Sequence, residues 1–437
     1  MGLSYAEAKA FLEFRGFGIT PGLLRIQALL ELLSNPQLSY PTIHLAGTNG
    51  KTSTARMITA ILAAHGLSTG LYTSPHLVDV EERFVLAGWD GRLSWQQMTA
   101  DELAATLSYL QPFIELVEND LSETITYFEL TTAMAFEWMS ELSVGAAVIE
   151  AGLGGRWDAT NLVHSAVAVL TPVDVDHARF LGSTPSANAA EKVDILKPGG
   201  TAVSAEQAPE VLEMFLRKAE SVGAPAVVLG RDFFIDSNET AVGGRSVAVR
   251  TSRAAYEGLF LPLHGAHQGA NLAVAIAAAE AFLDRPLDSD VLQGALASVT
   301  SPGRLEVVRR QPLVVLDGAH NPHAAAALRK TIATDFLFSK LTMVLSVFED
   351  KDVSAVLAEL VPSADRVILT RGHNERFAAP QTLEEKSPQM PGQDPPEVVE
   401  PVEAAVDRAI AISAEDDMVL VTGSIHAVGE ARRHLLR

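Results

Sequence analysis

The sequence predicts an α/β fold in two parts: a mostly parallel sheet carrying a phosphate loop, then a smaller α/β domain. Three observations predict it. Short, apolar, β-branched runs alternate with helical patterns, as parallel α/β architecture requires. A glycine-rich turn ending in lysine, AGTNGKTST (Ala46–Thr54), sits between a strand and a helix. Pro and Gly break the pattern at Ser301-Pro302-Gly303, and alternation then resumes.

Taken in order, Thr42–Ala46 reads as a buried strand, Gly47–Gly50 as a loop and Lys51–His65 as a helix. Leu67–Tyr72, Val144–Glu150 and Ala166–Leu170 read as further strands. Their continuous apolar character suits a sheet covered on both faces. Gln268–Leu283 is an alanine-rich helix. After the break come strands at Leu313–Leu316, Thr342–Val347, Arg366–Thr370 and Met418–Val421, with a helix from Pro322. The Pro-, Glu- and Gln-rich stretch between Arg376 and Val402 reads as a mobile surface loop. The expected boundaries are 1–300 for the nucleotide-binding domain and 301–437 for the second.

Composition narrows the function. The chain has 437 residues, 48% hydrophobic and 20% charged, enough to bury a sizeable core. Its net charge of −21 disfavours sequence-independent nucleic-acid binding, which needs a basic surface. No cysteine is present, so disulfides, thiolate catalysis, zinc fingers and iron–sulfur clusters are excluded. Charges interrupt the N-terminal apolar run, so no secretory signal is read there. The apolar stretch Asn271–Leu283 is too short to span a bilayer and carries Glu280. A soluble cytoplasmic enzyme, without a membrane or nucleic-acid partner, is the expectation.

In the turn, Gly47 and Gly50 let the backbone close around phosphates. Thr48, Asn49 and the amides of the helix start favour an anion. Lys51 adds a point charge, and Thr52 or Ser53 supplies a hydroxyl near magnesium. Leu45 stands where the standard pattern has its first glycine. Other polar clusters end successive strands: Ser74-Pro75-His76, then Glu150 before Gly152-Leu153-Gly154-Gly155-Arg156, then Asp174, Asp176 and His177. Ligands collect at that edge of open α/β sheets, and oxygen donors beside a nucleotide suit magnesium. The turn after Glu150 does not fit G-x-G-x-x-G, because Trp157 takes the sixth position, so a dinucleotide oxidoreductase is disfavoured. A nucleotide-switched binding protein is a further alternative at this point.

More segments complete the pattern: TSPHL (Thr73–Leu77) with Glu82 and Arg83, EAGLGGRWDATN (Glu150–Asn161), DHARFLG (Asp176–Gly182), AEKVDILKPG (Ala190–Gly199) and HGAHQGAN (His264–Asn271). PGRLE (Pro302–Glu306), DGAHNP (Asp317–Pro322), DKD (Asp350–Asp352) and TGS (Thr422–Ser424) follow. With GTNGKTS (Gly47–Ser53), these resemble the folylpolyglutamate synthase/dihydrofolate synthase family of the Mur ligase superfamily, along nearly the whole chain.

The resemblance implies a Mur ligase-like architecture, a P-loop domain followed by a Rossmann-like one. It implies an ATP-dependent amide ligase of folate biosynthesis and one-carbon metabolism. A substrate carboxylate takes the γ-phosphate of ATP, and the acyl phosphate is then attacked by the amine of L-glutamate. Lys51, Lys192 and His177 are the implied catalytic residues. Ser74, Glu150 and His177 are the implied ligands of Mg2+. Lys192 aligns with a lysine that the family carbamylates to support a second Mg2+; a surface lysine paired with its neighbours is the plain alternative. A monovalent cation is also within the family's pattern. Asn271, Arg304 and Asp317 are implied ATP contacts, with domain closure expected to bring Arg304 onto the phosphates. Asp317, His320 and Ser424 are implied glutamate contacts. For the folate or pteroate, the resemblance implies Arg25, Phe128, Arg156 and Asp158. A monomer is expected. Thr52 after the loop lysine, Ala178 after Asp176-His177 and Trp157 depart from the family's usual residues. They keep open a Mur-like ligase that joins an amino acid to a non-folate carboxylate.

Overall fold

A computed structural model describes residues 2–16, 22–388 and 394–436. The chain divides into two compact units, one formed by 1–237, 247–260 and 270–299, the other by 238–246, 261–269 and 300–437.

The first unit is built on an eight-stranded sheet. Its strands are β1 (Thr42–Ala46), β2 (Thr69–Tyr72), β3 (Phe84–Trp89), β4 (Leu93–Gln97), β5 (Ala146–Glu150), β6 (Ser165–Leu170), β7 (Thr201–Ser204) and β8 (Ala226–Val228). They run in the order β4-β3-β2-β5-β1-β6-β7-β8. β2, β5, β1, β6, β7 and β8 are parallel to one another, and β3 and β4 extend the edge as an antiparallel hairpin. All residues of β1 and β5 are buried, which is why both read as unbroken apolar runs. In register, Leu45 pairs with Glu150 and Ala46 with Leu170. The chain thus leaves β1, β5 and β6 at one level, along the sheet edge where loops collect.

Helices begin where side chains satisfy the first free amides. Thr99 and Glu102 form a reciprocal cap for Ala100–Leu121, and Thr126 and Glu129 do so for Tyr127–Glu141. The helix Lys51–Ala64 is different. Its cap residue is Gly50, with no side-chain cap and no acidic residue in the first turn. Its amide end is therefore left for an anion.

Three more strands, β9 (Phe234–Ala241), β10 (Gly244–Arg250) and β11 (Ala255–Leu261), form a small sheet of order β11-β10-β9. The second unit has six: β12 (Glu306–Arg310), β13 (Leu313–Leu316), β14 (Leu341–Leu345), β15 (Arg366–Leu369), β16 (Glu397–Val398) and β17 (Met418–Thr422), in the order β12-β13-β17-β14-β15-β16. All neighbours are parallel except β12 with β13. In this unit the segments 238–246 and 261–269 are tied to the helix Pro322–Asp335. Arg245 and Asp335 form a buried ion pair at 3.1 Å, and the Gly265 amide donates to Asp335 at 2.7 Å.

The stretch between Arg376 and Val402 is not simply a loop. It contains the helix Pro380–Lys386, whose Leu383 is buried in the second core, and β16 adds to the sheet edge at Ile368 and Leu369. Residues 389–393 of that stretch lie outside the described residues. The hairpin β3–β4 and the small sheet carry no strong periodicity and were not evident from sequence.

Candidate active site

Three loops converge at the ends of β1, β5 and β6. In the first, Gly47 packs so closely on the chain after β6 that a Cβ there would lie 1.9 Å from Thr171 Oγ1. A Cβ on Gly50 would lie 2.6 Å from Asn271 Oδ1, so Asn271 backs the loop from the helix Ala266–Leu283. Thr48 ties the first loop to the third: its hydroxyl donates to the Asp174 carbonyl at 2.8 Å and accepts from the Asp174 amide at 3.0 Å. The amides of Thr48 and Asn49 donate to the Pro172 carbonyl at 2.9 and 3.3 Å. Lys51 Nζ donates to the Gly47 carbonyl at 2.9 Å, folding its charge over the loop. Ser53 is buried in the helix.

Glu150, 2% exposed at the end of β5, receives the Thr52 hydroxyl at 2.9 and 3.0 Å and the Ser74 amide at 3.4 Å. Of the two hydroxyls read from sequence, that of Thr52 is on the carboxylate. Glu150 and Thr52 bring carboxylate and hydroxyl oxygens together, the hard donors that Mg2+ takes, with the Ser74 backbone beside them. His177 caps a short helix with a left-handed backbone, φ 50°, and its Nε2 lies 3.8 Å from Asp176. Among the described residues, the His and carboxylate trio with ligand atoms within 4.8 Å is His373, Glu403 and Glu430 in the second unit, where His373 is largely exposed and 3.2 Å from Glu430.

Lys192 is not a surface lysine. It is 4% exposed at the end of the helix Pro185–Lys192. Burial first, then the charge of Lys51, push its ammonium down from 10.5 to about 7, against the opposing pull of Asp176, Asp158 and Glu191. Its neighbour Glu191 pairs instead with Arg156 at 3.6 Å. A Cβ on Gly155 would lie 2.6 Å from the Glu191 carbonyl and 3.0 Å from Lys192 Cα, so the turn after β5 is moulded onto this helix end.

The expected acceptor residues differ in availability. Asp158 is buried and accepts from the amides of Leu153 and Thr160 at 2.7 and 3.0 Å; its carboxyl, raised by burial, is occupied in holding the turn. Arg156 is exposed and paired with Asp194. Arg25 is buried against Glu129 at 3.1 Å and Glu123 at 2.6 Å. Phe128 is half-buried, 6.3 Å from the Tyr72 ring and close enough to exclude a Cβ at Gly152. It is both a wall of the core and a surface facing the turn. Trp157 is 55% exposed.

In the second unit Asp317 follows β13 and Ser424 follows β17, adjacent strands in register through Leu316 and Val421. Asp317 accepts from the amides of Leu305 and Ala319, both at 2.9 Å; burial raises its carboxyl while Arg304 opposes. A Cβ on Gly318 would lie 2.2 Å from Arg304 Nη1, so glycine makes room for that guanidinium. His320 Nδ1 is 2.8 Å from the Gly318 carbonyl, and Asn321 caps the helix from Pro322. Ser424 caps Ile425–Leu435. Sequence reading did not single out Thr171, Asn271's packing on Gly50, or the hydroxyls of Ser346 and Thr370. Those two are buried without partners at the ends of β14 and β15. Single small polar residues after a strand carry no spacing signal.

The family described as Mur ligase, glutamate ligase domain matches residues 303–425. The chain is 38% identical to dihydrofolate synthase/folylpolyglutamate synthase of Mycobacterium tuberculosis, over 95% of this chain and 90% of the relative. It is 31% identical to the Bacillus subtilis protein of that name, over 99% of each. The solved M. tuberculosis folylpolyglutamate synthase with ADP superposes with TM-score 0.92 at 37% identity, over 99% of this chain and 98% of that one. At these identities over nearly its whole length, the chain belongs to the dihydrofolate synthase/folylpolyglutamate synthase family of Mur-type ligases.

Proposed function

We propose that this chain is an ATP-dependent ligase that adds L-glutamate to a folate-type carboxylate, dihydropteroate, a folate or both. The observation that carries this reading is Glu150 held on Thr52 beside an uncapped helix start, in a chain whose other unit matches a glutamate ligase domain. A folylpolyglutamate synthase solved with AMPPCP and folate, 27% identical at TM-score 0.84 over the whole of both chains, supports the choice of substrates.

In this reading the amides at the start of the helix Lys51–Ala64 and Lys51 itself bind the phosphates and neutralise charge as the acceptor carboxylate oxygen attacks the γ-phosphorus. The β–γ oxygen bridge breaks and ADP leaves. The glutamate amine then adds to the acyl carbon, the tetrahedral adduct gives up a nitrogen proton to the departing phosphate or to solvent as the C–O bond to phosphate breaks, and the amide remains. Glu150, Ser74 and His177 are the residues that would hold Mg2+, which when bound supplies positive charge beside the transferring phosphoryl group. Asn271 supports the loop. Arg304 serves ATP, and Asp317, His320 and Ser424 serve glutamate. Lys192 has the depressed basicity that carbamate formation with CO2 requires, since only the neutral amine reacts. 13C-bicarbonate is expected to give a carbamate resonance that K192A abolishes; its absence in wild type removes that role.

The test is ADP release with ATP, Mg2+ and each acceptor, with and without L-glutamate. Release and glutamylated product that require both organic substrates support the proposal. Glutamylation of none of the pteroate or folate acceptors overturns it.

A further inference from the structure

His44 is wholly buried on β1, just ahead of the phosphate loop, and the mechanism above does not use it. Its Nε2 lies 2.8 Å from Thr160 Oγ1. The same hydroxyl lies 2.5 Å from Asp158 Oδ1. A hydroxyl has one proton to give. Asp158 accepts it, as it accepts the amides of Leu153 and Thr160. Thr160 can then only accept from the ring, so His44 carries its proton on Nε2 and leaves Nδ1 as a buried lone pair without a partner. Burial, aided by Lys197, holds the ring neutral, with its pKa pushed down to about 3.

The chain of bonds continues outward. Asp158 pins Leu153 in the turn after Glu150. That turn lies against the helix end bearing Lys192, where Gly155 permits close approach and the Arg156 amide donates to the Glu191 carbonyl at 2.9 Å. The phosphate-loop strand and the seat of Lys192 are therefore joined by His44, Thr160 and Asp158.

We propose that His44 is a positioning residue: through Thr160 and Asp158 it fixes the glycine turn against Lys192, and it governs the chemical step rather than nucleotide binding. The kinetic part rests on the ligase reading; the structural part does not. The ties of Thr48 to Asp174 and Pro172 are untouched by its loss, so ATP affinity is expected to hold.

The test compares H44L, which has no donor, with H44Q, whose amide nitrogen can donate near the Nε2 position, and with T160V. H44L and T160V are each expected to lower kcat about 10–100-fold, the range for partners that orient site residues. H44Q is expected to recover most of it. H44L/T160V is expected to be no worse than the poorer single variant, because both cut one link. Titration calorimetry should give wild-type ATP affinity. Independently of turnover, 15N NMR of wild type should give the Nε2–H tautomer, and hydrogen exchange at the Leu153 amide should be faster in T160V. An Nδ1–H tautomer, unchanged Leu153 exchange, wild-type kcat in folded H44L, or additive losses would each overturn the proposal. If H44L does not fold, H44Q against T160V decides. If wild type makes no amide, the ligase reading fails while the tautomer and exchange results still judge the network.

Discussion

The charge of Lys51 bears on Lys192, yet substitution should affect the two in different ways. Lys51 opens the helix and reaches back over the loop, and K51A is expected to lower turnover by about 10²-fold or more with the fold intact, measured as ADP release alongside circular dichroism. Lys192 bears on stability as well. Its pKa is about 7 when folded against 10.5 ordinarily, so between those values the unfolded chain holds a proton that the folded chain has lost. The cost of burying the ammonium is full below pH 7 and fades as pH rises toward 10.5. K192M removes that cost. Its Tm advantage over wild type should be largest near pH 6 and shrink by pH 9; a constant difference in Tm would contradict the assigned environment. Residue identity in both motifs was legible in sequence. Burial was not: an exposed helix end remained an alternative for AEKVDILKPG, and in the structure the glycine turn presses on the backbone of a Lys192 that is 4% exposed.

At the scale of elements, the glycines report which surfaces touch. G155A places a Cβ against the Glu191 carbonyl and Lys192 Cα, backbone atoms that cannot rotate away. It is expected to cost about 1–3 kcal/mol in denaturant unfolding and to lower kcat, since the helix end that moves carries Lys192. A fully active G155A of wild-type stability would contradict the packing. The buried parallel strands, the loop and the helix Lys51–Ala64 were legible because hydrophobic runs and glycine punctuation are local signals. The β3–β4 hairpin was not, as Leu93–Gln97 is largely exposed and half polar. The helix Pro380–Lys386 was hidden by composition: proline and glutamate suggested a loop, while Leu383 anchors the segment in the core. Asp158 illustrates the same limit in the site. Its motif suggested a substrate contact, but its oxygens accept from the turn and from Thr160.

At the scale of the whole molecule, the second unit draws in segments far from it in sequence, and a buried ion pair secures them. D335A leaves the Arg245 guanidinium buried with its carboxylate partner gone. It is expected to cost about 3–5 kcal/mol, seen as a lower denaturation midpoint; a loss under about 1 kcal/mol would mean the pair acts as an exposed one. Among the described residues no helix is long and apolar enough to cross a membrane. The function proposed for the molecule is activation of a carboxyl group by phosphate and its transfer to an amine. Acceptor labelled with 18O in its carboxylate tests that directly. One labelled oxygen in the phosphate released during glutamylation is the predicted result, because the attacking oxygen departs with phosphorus. Unlabelled phosphate accompanying the amide product would contradict it.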